Sequence, residues 1–176
     1  MKITLTIVAS LLLLTAFGQT FKTSSSEVRF FSSAPLEDIE AISTESTSII
    51  NAEENTMAIV IPMQSFEFDK DLMQEHFNEN YVESDKYPNA TFKGIIEGWD
   101  QSLDSDEATA SGQLTIHGVT RDVTITGVIE KVGEGLKVNA VFPVLLKDYK
   151  IKIPKIVFQN IAEEIEVTAT FIYQPL

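Results

Sequence analysis

The sequence contains no cysteine. That absence excludes a disulfide framework, thiolate metal ligation and thiol catalysis at once. Histidine is almost as scarce: His76 and His117 are the only two, and they are not one helical turn apart as a metal-binding pair would be. No metal site is expected. Basic residues are outnumbered, 13 against 26 acidic ones, and such a surface repels nucleic-acid backbones and anionic lipid headgroups alike. No Gly-x-Ser-x-Gly elbow, phosphate-binding loop or dinucleotide fingerprint is present. The acidic groups Glu37-Asp38, Glu53-Glu54, Asp104-Ser105-Asp106-Glu107 and Glu163-Glu164 fall in turn-like stretches, where carboxylates are solvated. No catalytic residue is assigned, and the chain is not read as an enzyme. Long linkers, low-complexity tracts and internal repeats are also missing, so a single domain is expected.

No apolar run reaches the roughly 20 residues a spanning helix needs. The longest, Ile3 to Leu14, is broken by Thr4, Thr6 and Ser10, follows Lys2 and precedes the small residues Ala16 and Gly18. A basic start, a short apolar core and small residues at −3 and −1 describe a secretory signal peptide over residues 1–18, cleaved near Gly18/Gln19. The remaining domain, residues 19–176, would then be periplasmic or secreted, without a stable membrane anchor, since no cysteine stands at the cleavage site to carry a lipid. With Lys2 removed, 26 acidic residues face 12 basic ones, a net charge of −14.

What is present in abundance is alternation with period two, the pattern of strands with one buried face. The expected strands are Glu27–Ser33, Leu36–Ser43, Thr47–Asn51, Thr56–Pro62, Ala90–Trp99, Glu107–His117, Arg121–Lys131, Leu136–Leu146 and Ile165–Tyr173. Turn residues separate them at Ala52–Asn55, Asp104–Asp106, His117-Gly118 and Gly133–Gly135. One segment departs from the pattern. Over Asp69–Glu79, Leu72, Met73, His76, Phe77 and then Tyr81 recur at helical spacing, with Asp69 placed to cap the helix. The fold class is therefore all-β, an antiparallel barrel of about eight strands with one short helical insert.

Several strands carry an apolar face of unusually small residues: Ala108, Ala110 and Gly112; Gly94 beside Phe92 and Ile96; Gly127 between Ile125 and Ile129; Ala140; Ala169. A barrel of about eight strands either fills with side chains or, where these are small, leaves room for one ligand. The same faces supply Phe30, Met57, Ile59, Leu114, Ile116, Val123, Leu136, Val138, Phe142, Val167 and Phe171, so the lining would be hydrocarbon and aromatic. Such a wall favours an apolar ligand, and each buried methylene of its tail gains about 0.8 kcal/mol.

Two segments carry a family resemblance. One runs from Glu75-His76-Phe77 through Asp85-Lys86-Tyr87-Pro88-Asn89-Ala90-Thr91-Phe92-Lys93; the other is Gly112-Gln113-Leu114-Thr115-Ile116-His117-Gly118-Val119-Thr120-Arg121-Asp122-Val123. In these, in Ser33-Ala34-Pro35-Leu36, in the hairpin into Ile59 and in Phe142 to Ile151, the chain resembles the YceI-like family. The resemblance implies an extended lipocalin-like barrel that binds a polyisoprenoid or another long amphiphilic lipid, with no further cofactor. The chain departs from the family pattern around Leu72-Met73-Gln74, where a basic residue is usual, and at Lys150, where glycine is usual.

The residues expected to meet the ligand are Phe30, Leu72, Met73, His76, Phe77, Tyr81, Phe92, Ala110, Gly112, Leu114, Phe142 and Tyr149. Leu72, Met73, Phe77 and Tyr81 would face the tail, and His76, Tyr87 or Tyr149 the polar end. His117 is expected to hold backbone groups in a tight turn. Two other readings use different parts of the chain. An interaction module or homodimer would use the outward side chains Trp99, Ile95 and Phe31; a lipid hydrolase or isomerase would use His76 with a nearby carboxylate.

Overall fold

The structure, a computed structural model, describes residues 19–33, 38–153 and 162–176. The expected signal peptide and the start of the strand expected at Leu36 lie outside them. The ten strands are β1 (Thr20–Ser33), β2 (Asp38–Ser43), β3 (Thr47–Asn51), β4 (Thr56–Pro62), β5 (Glu67–Phe68), β6 (Asn89–Glu97), β7 (Ser105–Ile116), β8 (Val119–Val132), β9 (Gly135–Leu145) and β10 (Glu164–Pro175). Neighbours pair antiparallel in the order β10-β9-β8-β7-β6-β4-β3-β1-β2-β5, and β10 also pairs with β1. That last pairing closes β1, β3, β4, β6, β7, β8, β9 and β10 into an eight-stranded barrel, with β2 and β5 as additions.

Beta-branched residues with strict alternation build the walls. Along β7 and β8 the outward positions form hydroxyl-rich cross-strand pairs, Thr115 with Thr120, Ser111 with Thr124 and Thr109 with Thr126, while the inward ones are apolar. The β7–β8 hairpin turns on His117 and Gly118, both at positive φ (51° and 69°), the backbone a tight two-residue turn requires. At the β3–β4 turn the Asn51 side chain accepts the amides of Glu53 and Glu54.

β1 serves two neighbours on one edge. Thr20–Lys22 pair with β3, whereas Val28–Ser33 pair with β2. Between them lies a bulge at Thr23/Ser25, and buried hydroxyls take over the backbone bonding: Thr23 Oγ1 donates to the Ser48 carbonyl and accepts its amide, and Ser26 Oγ donates to the Ser46 carbonyl at 2.8 Å. This polar run hides the first half of β1 from period-two reading. It also lets β2 splay away from β4, which opens the barrel wall at the end where β1 finishes.

The segment after β4 fills that opening. It comprises a 3-10 turn at Met63–Ser65, β5, helix α1 (Asp71–His76) and a π turn at Phe77–Tyr81. The helix differs from expectation at both ends. Lys70, not Asp69, is the N-cap, with no side-chain cap bond, so the helix starts later than its apolar spacing suggested. At the other end it widens instead of stopping, with the Val82 amide bonded to the Phe77 carbonyl. The wider turn brings Phe77 and Tyr81 onto the barrel interior.

The outward trio is not one patch. Ile95 is 55% exposed, Phe31 lies half-buried under the Arg29 guanidinium, 5.2 Å from its ring centre, and Trp99, expected outside, packs against the core in the β6–β7 loop.

Two glycines face one another where β6 and β7 come close. A Cβ on Gly112 would stand 2.2 Å from the Lys93 carbonyl oxygen, and one on Gly94 would stand 2.6 Å from the Phe92 ring. Gly112→Ala is therefore expected to lower the denaturant midpoint by the equivalent of about 2–3 kcal/mol. Gly133→Ala has free space and pays only for its φ of 61°, about 1 kcal/mol; equal losses in the two variants would contradict this account of the contact.

Candidate functional site

The barrel interior holds two chambers. The upper one, at the helix end, has a volume of about 140 Å³; the lower one, about 90 Å³. Val28, Ile61, Leu114, Phe142 and Val167 line both, so they stand at the constriction between the two chambers.

Sheet register explains the lower chamber. Ala108 pairs with Gly127, Gly127 with Ala140, Ala140 with Ala169, and Ala169 with Val28. One belt across four adjacent strands, β7 to β10, thus carries almost no side-chain volume before it meets Val28, and Ala110 adds a small residue next to it on β7. Phe92, Ile96, Met57, Ile129 and Phe171, with Ile50, Ile59, Ile125 and Val138, supply the larger side chains of the wall. Beyond the wall Phe21 and Tyr173 are packed in the core, with the Tyr173 hydroxyl donating to Ser48 Oγ, and burial drives the Tyr173 pKa upward.

The upper chamber is roofed by aromatic rings. Phe30, Phe66, Phe68 and Phe77 contact one another at centroid distances of 5.1 to 5.7 Å, each such pair adding about 0.5–1.5 kcal/mol to burial alone. Met73, Tyr81 and Val82 from the helical segment and Leu146, Ile151 and Ile165 from the opposite side finish it. Among the described residues no charged side chain lines either chamber. Among the described residues the side-chain hydroxyls on the upper wall are those of Ser32 and Tyr81, and burial raises the Tyr81 pKa, so the phenol stays neutral.

Of the expected ligand residues, Phe30, Met73, Phe77 and Tyr81 line the upper chamber, Phe92 and Ala110 the lower, and Leu114 and Phe142 the constriction. Four lie elsewhere. Leu72 is 62% exposed on the helix exterior, and His76 is exposed at the helix end. Gly112 belongs to the β6–β7 crossing, and Tyr149 is buried in the rim, not on a chamber wall. Sequence reasoning missed Ser32, Phe66 and Phe68. Ser32 was legible from the alternation Val28, Phe30, Ser32; Phe66 and Phe68 stand in a stretch too short to show a period.

The rim is held by His117. Its Nδ1 lies 3.1 Å from the Tyr149 carbonyl oxygen and its Nε2 2.7 Å from the Glu83 carboxylate, while the Tyr87 ring meets it edge-on at 4.6 Å. One imidazole thus joins the β7–β8 turn, the loop after the helix and the turn after β9. Arg121 adds a bond from its Nε to the Asp148 carbonyl, and Lys150 closes that turn at a φ of 57°, a left-handed backbone that explains why glycine would be at home there. Among the described residues no group of three or more His, Asp or Glu side chains could hold a metal ion, and no helix is long and apolar enough to cross a membrane.

A closed eight-stranded antiparallel barrel with an apolar interior and a helical roof defines a lipocalin-like class. Residues 15–172 match the model of the YceI-like domain, and the chain belongs to that family. No curated protein matches the sequence. Solved structures do. BcnA of Burkholderia cenocepacia is 17% identical, with a TM-score of 0.71 over 84% of this chain and 95% of that one. A polyisoprenoid binding domain from Saccharophagus degradans, implicated in plant cell wall breakdown, is 14% identical, with a TM-score of 0.75 over 89% and 98%. The YceI protein of Campylobacter jejuni is 18% identical, with a TM-score of 0.57 over 69% and 72%. At these identities the likeness shows the fold.

The rim bond carries a pH signature. The hydrogen bond from His117, then the nearby Lys86 charge, hold the Glu83 carboxyl below its usual value of 4.5. A depressed carboxyl stabilises the fold above its unfolded pKa and loses that contribution as pH falls through the folded one. The melting temperature of the wild type should therefore drop more steeply than that of Glu83→Gln between about pH 5 and about pH 3; parallel curves would remove Glu83 from the rim's support.

Proposed function

We propose that the protein binds one long, electrically neutral lipid along the barrel axis, a polyisoprenoid, an isoprenoid quinone or a neutral fatty acyl lipid, and acts after export as its carrier or scavenger. The observation that carries this reading is the pair of adjacent chambers with no charged side chain of the described residues on their walls. A tail lying across both would exchange water for hydrocarbon contacts at about 0.8 kcal/mol per methylene. The exposed acidic residues Asp69, Asp71, Glu75 and Glu79 flank the roof and disfavour an anionic head at the mouth. The printed description of the Saccharophagus neighbour as polyisoprenoid binding supports the same chemistry. Nothing at the site arranges an acid with a base, so the reading is of binding, not turnover.

Native mass spectrometry of protein purified from a bacterial host, followed by organic extraction, is expected to find one apolar lipid per chain. A mass that stays ligand-free after incubation with isoprenoid quinones and fatty acyl lipids would falsify the proposal. Ala110→Phe and Ala140→Phe place rings in the lower chamber and should reduce uptake of a long-chain quinone at least about ten-fold while sparing a short-chain one held in the upper chamber, because several buried methylenes are lost. Equal uptake of both would move the tail out of the lower chamber.

A further inference from the structure

One wall group in the upper chamber is out of character with the rest. Ser32 is 2% exposed and occupies the inward position after Val28 and Phe30 on β1, paired with Ile39 of β2. Its Oγ accepts the Ala162 amide at 2.9 Å. A serine hydroxyl offers one donor besides its lone pairs, and the Ser32 O–H has no acceptor among the described residues. Buried donors are costly to leave unmade. An alanine would have matched the surrounding wall.

We propose that the Ser32 hydroxyl donates a hydrogen bond to a neutral oxygen at the polar end of the ligand, so that the cargo carries a carbonyl or alcohol head at the upper wall and its hydrocarbon tail runs through the constriction to the alanine belt. The inference rests on the cavity-binding reading above and adds the chemistry of the head to it. The Ala162 amide uses one of the oxygen's lone pairs and leaves the hydroxyl proton to donate elsewhere. A carboxylate or phosphate does not suit the place: a buried anion needs a cation or several donors, and among the described residues no Lys, Arg or His lines the chamber. The acidic roof argues the same way. A carbonyl needs only the one donor that is there.

The test compares two probes of equal chain length on delipidated full-length protein: a polyprenyl methyl ketone and the corresponding hydrocarbon polyene. The wild type should hold the ketone about five-fold more tightly than the polyene, the net worth of one hydrogen bond. Ser32→Ala should erase that margin without changing polyene affinity, and Ser32→Thr, which keeps the hydroxyl, should restore it. The infrared carbonyl band of the bound ketone should lie at lower wavenumber in the wild type and in Ser32→Thr than in Ser32→Ala. If Ser32→Ala weakens both probes equally, or leaves ketone affinity and carbonyl band unchanged, Ser32 is a structural residue and the assignment is overturned while the cavity reading stands. If neither probe enters the wild type, the cavity reading fails and the Ser32 assignment falls with it.

Discussion

Everything in this molecule depends on the pairing of its first strand with its last. Ten residues of β1 are in register with β10, and with no cysteine in the chain that ladder alone keeps the sheet closed. Its ends are among the most distant in sequence, so its formation carries the full entropy of chain closure. Once formed, it removes the two edges that would otherwise be open to other chains. Closure is also what turns an apolar sheet face into an enclosed volume.

The enclosed volume is left unfilled by deliberate economy of side chains. Barrels of this strand number can be packed solid, yet the belt from Ala108 to Ala169 contributes little more than methyl groups and one glycine. Polar side chains buried along β1 follow a different logic. Thr23 and Ser26 stand where the strand changes partners; the Thr23 hydroxyl bonds Ser48 of β3 and the Ser26 hydroxyl bonds Ser46 in the β2–β3 connection. Where the ladder is interrupted at the bulge, side chains of β1 itself make the bonds to its neighbours. The same change of partner frees β2 from β4 and makes the opening that the helical segment occupies.

Much of this could be read from residue order. Thr47–Asn51 and Thr56–Pro62 alternate cleanly and coincide with β3 and β4, and the small-residue faces pointed to the strands that form the belt. What could not be read depended on contacts remote in sequence. Thr23-Ser24-Ser25-Ser26 looks like a loop because its hydroxyls find partners more than a dozen residues away. Asp69 has the chemistry of a cap, but the chain enters the helix one residue later, where β5 has already fixed its direction. Leu72 and Met73 are adjacent and equally apolar, and only the docking angle of the helix decides that Met73 faces the chamber and Leu72 the solvent. Gly112 shares a face with Ala110 by alternation, yet the close approach of Lys93 takes up the space above it. Sequence periodicity assigns a side of the sheet; it cannot assign the distance to the next backbone.

The constriction at Val28, Ile61, Leu114, Phe142 and Val167 would give the proposed lipid binding a kinetic character as well as a shape. A chain threaded through it must be withdrawn lengthwise, each methylene leaving the lower chamber before the next can follow. At about 0.8 kcal/mol per methylene, every carbon added beyond the constriction lengthens residence by roughly four-fold when the loss is fully felt in the exit barrier. Short chains would exchange freely with their surroundings and long ones would stay. The barrel would thus sort its cargo by how slowly each lets go, with the upper chamber as a site of rapid sampling and the alanine belt as the place of retention.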